Sequence, residues 1–268
     1  MQVTKNTIYL LLTGGFLVSI GAFLTYLFIP PQIIEQEATT SAANSVTTGY
    51  AVAYRWVAPE GYEMQSRSYD IVIELPEPDT VGEIPVETAL ATRRSARDVA
   101  DSSISLEDLS QMLWSAIGVT NDSGNRTAPS PGGVNPTAVF VIADDVLGLE
   151  PGTYEYLEHE HALGLVSEET LTGRWATITS QTYPALSPVT LMISGDMYAH
   201  YERHGEAAER LVLQETGHIG QNLYLQAETL DLGMIVMGGF DVNEATSFLG
   251  LPEHEPVVYL VPFGNAIE

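Results

Sequence analysis

Ala138-Val-Phe-Val-Ile-Ala143, followed by Gly152-Thr-Tyr-Glu-Tyr156 and His161-Ala-Leu-Gly-Leu-Val166, is the stretch that decides the fold. The first segment is a short continuous apolar run between Pro136 and Asp144, and it reads as a buried strand. The next two alternate about a polar turn and read as a hairpin. Working outward, Val189-Thr-Leu-Met-Ile-Ser194 is a further buried strand, and Glu206 to Leu230 reads as a long helix. Gly233-Met-Ile-Val-Met237 and Val257-Val-Tyr-Leu-Val261 are the last two strands. Upstream, Val86 to Arg94 reads as a helix, and Ser105-Leu-Glu-Asp108 is a capping-box-like start for another that runs through Trp114 and Ile117. Helices and strands mix without the regular βαβ alternation of a doubly wound fold, so the class is α+β.

The 268 residues carry 10 Lys and Arg against 35 Asp and Glu, a formal charge of −25, and no cysteine. Ten cations cannot build the broad basic surface that neutralises a phosphate backbone, which excludes nucleic acid as a partner. Without thiols there is no disulfide, thiolate zinc site, iron–sulfur cluster or Cys nucleophile, so catalysis needs another reactive centre. Residues 1–7 form an N-terminal flank. Ile8 to Ile29 is an uncharged apolar run, long enough at about 20 residues per bilayer to be a transmembrane anchor. Pro30-Pro31 follow it in place of a small-residue cleavage site. Lys5 and the amine precede the run and Glu35 and Glu37 follow it, which puts a single-pass chain with its domain on the outer face of the membrane. Residues 30–82 read as a tether and an extended arm, with strand-like Ser68 to Leu75 ended by Pro76-Glu-Pro78, and residues 83–268 as the globular domain.

Three segments carry the chemistry. Arg93-Arg-Ser-Ala-Arg97 concentrates a third of the nine arginines into five residues of an acidic chain. Such a cluster suits an anion, since the guanidinium fork matches phosphate oxygens and the Ser95 hydroxyl adds a bond; a helix C-terminus complemented by cations is the structural alternative. Thr127-Ala-Pro-Ser-Pro-Gly-Gly-Val-Asn-Pro136 sets two glycines between prolines, a rigid loop able to approach a flat ligand closely. Gly238-Gly239 directly follows an expected strand, where ligand crevices form.

In this order and spacing the three segments resemble the FMN-dependent nitroreductase family, most closely its SagB-type dehydrogenase branch. The resemblance runs from about Leu75 to Gly264 and includes Leu106 to Ala116, Gly148 to Tyr156, Glu215-Thr-Gly-His-Ile-Gly-Gln-Asn-Leu223 and Leu251 to Gly264. It implies a mixed sheet flanked by helices and an oxidoreductase that holds FMN at a homodimer interface and runs a ping-pong cycle, taking a hydride from NAD(P)H or another electron donor and passing it to a small-molecule or peptide substrate. Arg93, Arg94, Ser95 and Arg97 would surround the phosphate and ribityl chain. Pro129, Ser130, Gly132 and Gly133, from the partner subunit, would lie near the isoalloxazine, and Met237, Gly238 and Gly239 near N5. No side chain is singled out as catalytic, because the flavin carries the chemistry. The chain departs from the family pattern in having Gly133 where many members place Asn, Gly238 where some have an acid, and no cation in its final Phe263 to Glu268. A cation opposite the flavin N1/O2 would have to be an arginine, such as Arg126 or Arg203.

Two other functions compete. A non-catalytic flavin or ligand-binding module would use the same pocket. His200 and His204, four apart with Glu202 between, with Glu215 and His218 beyond, could serve a zinc hydrolase, yet the first His lacks the Glu directly after it that zincin chemistry uses as general base. Glu215 and His218 are expected to hydrogen-bond to one another, Gly217 and Gly220 to allow close helix packing, and Trp114 and Trp175 to belong to the core.

Overall fold

In a computed structural model of the chain, residues 56–267 are described. The expected anchor Ile8–Ile29 lies outside them; among the described residues no helix is long and apolar enough to cross a membrane. Seven strands of the described residues form one sheet in the order β1-β4-β3-β2-β5-β7-β6: β1 Val72–Glu74, β2 Thr137–Ala143, β3 Gly152–Leu157, β4 Ala162–Ser167, β5 Val189–Gly195, β6 Leu232–Met234 and β7 Val257–Asn265. Among the described residues every ladder is antiparallel where a mixed sheet is expected, and parallel pairing is confined to the isolated bridge Ile104–Val146.

The apolar run at the centre is explained by burial on both faces. Along β2, Val139, Val141 and Ala143 face one core while Phe140 and Ile142 face the other, as the two-residue period of a strand requires. The register extends both rows: Val141 pairs with Leu191 and that with Val261, while Phe140 pairs with Met192 and that with Leu260. The first face is covered by helices α2 (Leu106–Ile117) and α5 (Ala208–Thr229), the second by the shorter α3 (Trp175–Ile178) and α6 (Val242–Phe248). On α2, Leu109, Met112, Leu113 and Ala116 are fully buried at helical spacing. Each large side chain among them contributes roughly 1.5–3 kcal/mol of burial. Ser105 caps α2 by accepting from Asp108 N at 2.9 Å, as its sequence signature requires.

Two elements differ from expectation. Residues 67–75, expected as an arm ahead of the domain, join the body: β1 pairs with β4, Leu75 is buried, and Arg67 bridges Glu155 on β3 and Glu255 before β7. The strand expected over Gly233–Met237 stops at Met234. Ile235 N donates to Pro262 O at 3.3 Å, but Pro262 has no N–H to return a bond, and pairing resumes only at the Met237–Leu260 bridge.

Candidate functional site

Helix α1 (Val86–Thr92) ends at the arginine cluster. Arg94 Nη1 donates to the carbonyls of Ala91, Thr92 and Arg93 at 2.8–3.1 Å, so this arginine closes the helix C-terminus. The chain then lies along β6, with Ala96 N donating to Met234 O at 2.8 Å. The approach is close enough that a Cβ on Gly233 would meet Ala96 Cβ at 3.2 Å and Val99 at 3.3 Å.

One side chain not singled out by sequence organises this end of the sheet. Tyr224, on α5, shares a 2.8 Å hydrogen bond between its hydroxyl and that of Ser95, and accepts from Val236 N at 3.0 Å. The Arg93 guanidinium stacks over its ring, 5.0 Å from the centroid. The arginine segment is thereby tied to the turn Val236–Gly239. There a Cβ on Gly238 would meet only Tyr259, at 3.7 Å, and one on Gly239 would meet nothing within 4 Å. Arg94, Ser95 and Arg97 are exposed and Arg93 is half-buried. None of the three arginines forms an ion pair with a described carboxylate.

The Pro129–Gly133 loop is built elsewhere on the same helix. Gly132 and Gly133 both adopt φ +66°, which only glycine takes at little cost, and Ser130 Oγ accepts from Asn135 N at 2.9 Å. Arg203 Nη1 donates to Gly132 O at 3.0 Å. Beneath the loop, Thr137 Oγ1 donates to Glu215 Oε1 at 2.8 Å. Glu215 is buried, and its Oε2 has no hydrogen-bond partner. Burial pushes its carboxyl above the usual range, against the pull of Ser130, Thr137, Arg126 and His218. Glu215 and Tyr224 are nine residues apart on α5, about 13 Å along its axis. Within one chain the structure therefore brings Arg93, Ser95 and Val236 together through Tyr224, while the Pro129–Gly133 loop is tied to Glu215 and Arg203. Of the two candidate cations, Arg126 is ion-paired with Glu158 and largely buried, whereas Arg203 is exposed at the loop.

The histidines fall differently from expectation. His218 is exposed and the hydrogen bond to Glu215 comes from Thr137, because α5 turns residue 218 away from the sheet. Gly217 has open space around it, and Gly220 packs on Val236 and Tyr259 rather than on a helix. His200 is wholly buried with both ring nitrogens unpartnered, 5.4 Å from the His204 ring centroid to centroid. Burial and the nearby His204 and Arg203 hold it below the usual histidine range, opposed by Asp196. Among the described residues no three His, Asp or Glu side chains converge as a metal site, so the zinc reading gains no support. Trp175 lies in the core and Trp114 at its margin.

The nitroreductase family model matches residues 90–265. A nitroreductase-family protein of Methanocaldococcus jannaschii is 35% identical over 201 residues, which cover 73% of this chain and 97% of that one. A nitroreductase-family crystal structure from Ralstonia eutropha is 28% identical, with a TM-score of 0.63, over 74% of this chain and 90% of that one. The Escherichia coli microcin synthetase McbBCD complex shares the fold, at 20% identity and a TM-score of 0.56 over 78% of this chain and 80% of that one. The chain belongs to the nitroreductase family of flavin oxidoreductases, whose cofactor is FMN.

Proposed function

We propose that the chain is an FMN-dependent oxidoreductase of the SagB-type branch, working as a homodimer and tethered through Ile8–Ile29. One observation carries the flavin site: Tyr224 ties an exposed arginine segment to a turn whose two glycines leave the backbone uncovered. The residues fit FMN. In a chain of charge −25, three guanidiniums without carboxylate partners among the described residues suit a phosphate. Arg93 and Arg97 would hold it, with Ser95 at the ribityl chain and Met237, Gly238 and Gly239 against the ring. Arg94, spent on the helix end, would contribute charge alone. When bound, FMN supplies hydride exchange, alternately with an electron donor and with a second substrate.

The Pro129–Gly133 loop would complete the site of the neighbouring protomer. The exposed stripe Arg210, Leu213, Gln214, Gly217, His218 and Gln221 at helical spacing supports this reading. Gly217, with nothing within 4 Å, leaves room there for a partner's side chain. Glu215-Thr-Gly-His-Ile-Gly-Gln-Asn-Leu223 supports the SagB-type branch, and with it a peptide or small-molecule substrate. Lys5 ahead of the anchor, against Glu35 and Glu37 after it, favours the outer face, where cytoplasmic NAD(P)H is out of reach and another donor is required.

Purified protein should be yellow, lose its visible flavin absorbance when reduced with NAD(P)H or dithionite, and regain it with an electron acceptor. A colourless protein that ignores added FMN contradicts the reading. Protease added to intact cells should degrade the domain; protection that ends only on lysis would place it inside.

A further inference from the structure

A cavity of about 580 Å³, within the range of small-molecule sites, opens beside Gly238. Its walls are Trp56, Met197, Leu213, Leu251, Val257 and Val258. One of its lining residues, Val242, ranks among the exposed large hydrophobics, at 39%. The polar lining is one-sided: Glu209 and Glu253 contribute carboxylates and no Lys, Arg or His takes part. Neither carboxylate is ion-paired within the described residues. Thr246 is already satisfied, donating to Val242 O and accepting from Val257 N, which leaves Asn243 and Ser247 as the neutral handles.

We propose that this cavity is the second-substrate chamber and that it selects apolar molecules bearing a cationic nitrogen over those bearing a carboxylate. The apolar walls take the body of the ligand, and Glu209 and Glu253 take the ammonium. A carboxylate placed there would meet two like charges with no cation to compensate. The inference rests on the flavin lying beside Gly238.

The test is calorimetric titration of the full chain, with and without FMN, using 4-nitrobenzylamine and 4-nitrobenzoate as matched probes. The amine should bind at least about tenfold more tightly at low salt, and the margin should narrow as salt screens the rim. Glu209→Gln with Glu253→Gln should bring the two affinities within about threefold while FMN affinity is unchanged. Leu251→Trp, which fills the chamber, should abolish binding of both probes and leave FMN in place. Equal or tighter binding of the carboxylate would overturn the proposal, and so would failure of both probes to bind an FMN-loaded protein. A protein that keeps the amine preference but takes up no FMN would uphold the chamber and overturn the flavin reading.

Discussion

Replacing Arg67 with Met should destabilise the domain far more than loss of a residue from a loose arm would. Arg67 donates from Nε and Nη2 to the two oxygens of Glu155, both at 2.7 Å, and from Nη1 to Glu255 at 2.9–3.0 Å. Both carboxylates expose only 9% of their side chains, and the guanidinium also covers the Phe140 ring at 5.2 Å. Removing the cation leaves two buried negative charges, a change that costs about 3–5 kcal/mol. The lower end applies here, because Glu155 keeps its bond from Tyr69 and Glu255 keeps the one from Ser194 at 3.0 Å. For a body of this size, about 3 kcal/mol lowers Tm by roughly 6–12 °C. Arg67→Met with Glu155→Gln and Glu255→Gln removes the unpaired charge and should recover most of the loss. Denaturant and thermal melts of the three proteins decide the matter. A single variant within about 1 kcal/mol of wild type, or a triple variant less stable than the single, would refute the argument.

Tyr224→Phe removes the hydroxyl shared with Ser95 and Val236 N while keeping the ring under Arg93; at about 1 kcal/mol per bond it should lower stability by about 1–2 kcal/mol in denaturant melts and weaken FMN binding by loosening the arginine segment, and unchanged stability with unchanged FMN affinity would contradict the role given to Tyr224. Glu215 has its folded-state pKa raised by burial, so between its unfolded and folded values the native chain holds the extra proton and stability drops as pH rises through that window. Glu215→Gln keeps an acceptor for Thr137 and should flatten that decline within the same window; urea midpoints with the same pH slope as wild type would remove the buried acid from the account. Light scattering should give about twice the chain mass of 29.1 kDa, and a monomer that binds FMN tightly would rule out the shared site.

Much of the scaffold was legible because its signals are local. The apolar runs of β2 and β5 announce burial on both faces, and Ser105 with Asp108 announces the start of α2 within one turn. What escaped depends on partners far along the chain. Arg67 meets Glu155 and Glu255, 88 and 188 residues away, so Ser68–Leu75 looked like an arm with nothing to pack on. Tyr224 reads as one more position on a long helix until Ser95, 129 residues earlier, is folded against it. The early end of β6 is set by Pro262 on its neighbour, a residue its own sequence does not contain. Within the site, the arginine cluster and the glycine pair were visible as composition, but the split between Arg94 at the helix end and Arg93 on Tyr224 is a matter of geometry.

Equilibrium titration of the flavin-free chain with FMN, for wild type and for Arg97→Ala, tests the central claim most directly. Arg97 is exposed and free of any ion pair with a described carboxylate, so its loss should leave the fold intact. A charge-assisted bond to the phosphate contributes about 1.5–3 kcal/mol, so the variant should bind FMN roughly ten- to a hundredfold more weakly. Identical affinities in the two proteins, or no FMN binding by wild type, would contradict an FMN site built on this arginine segment.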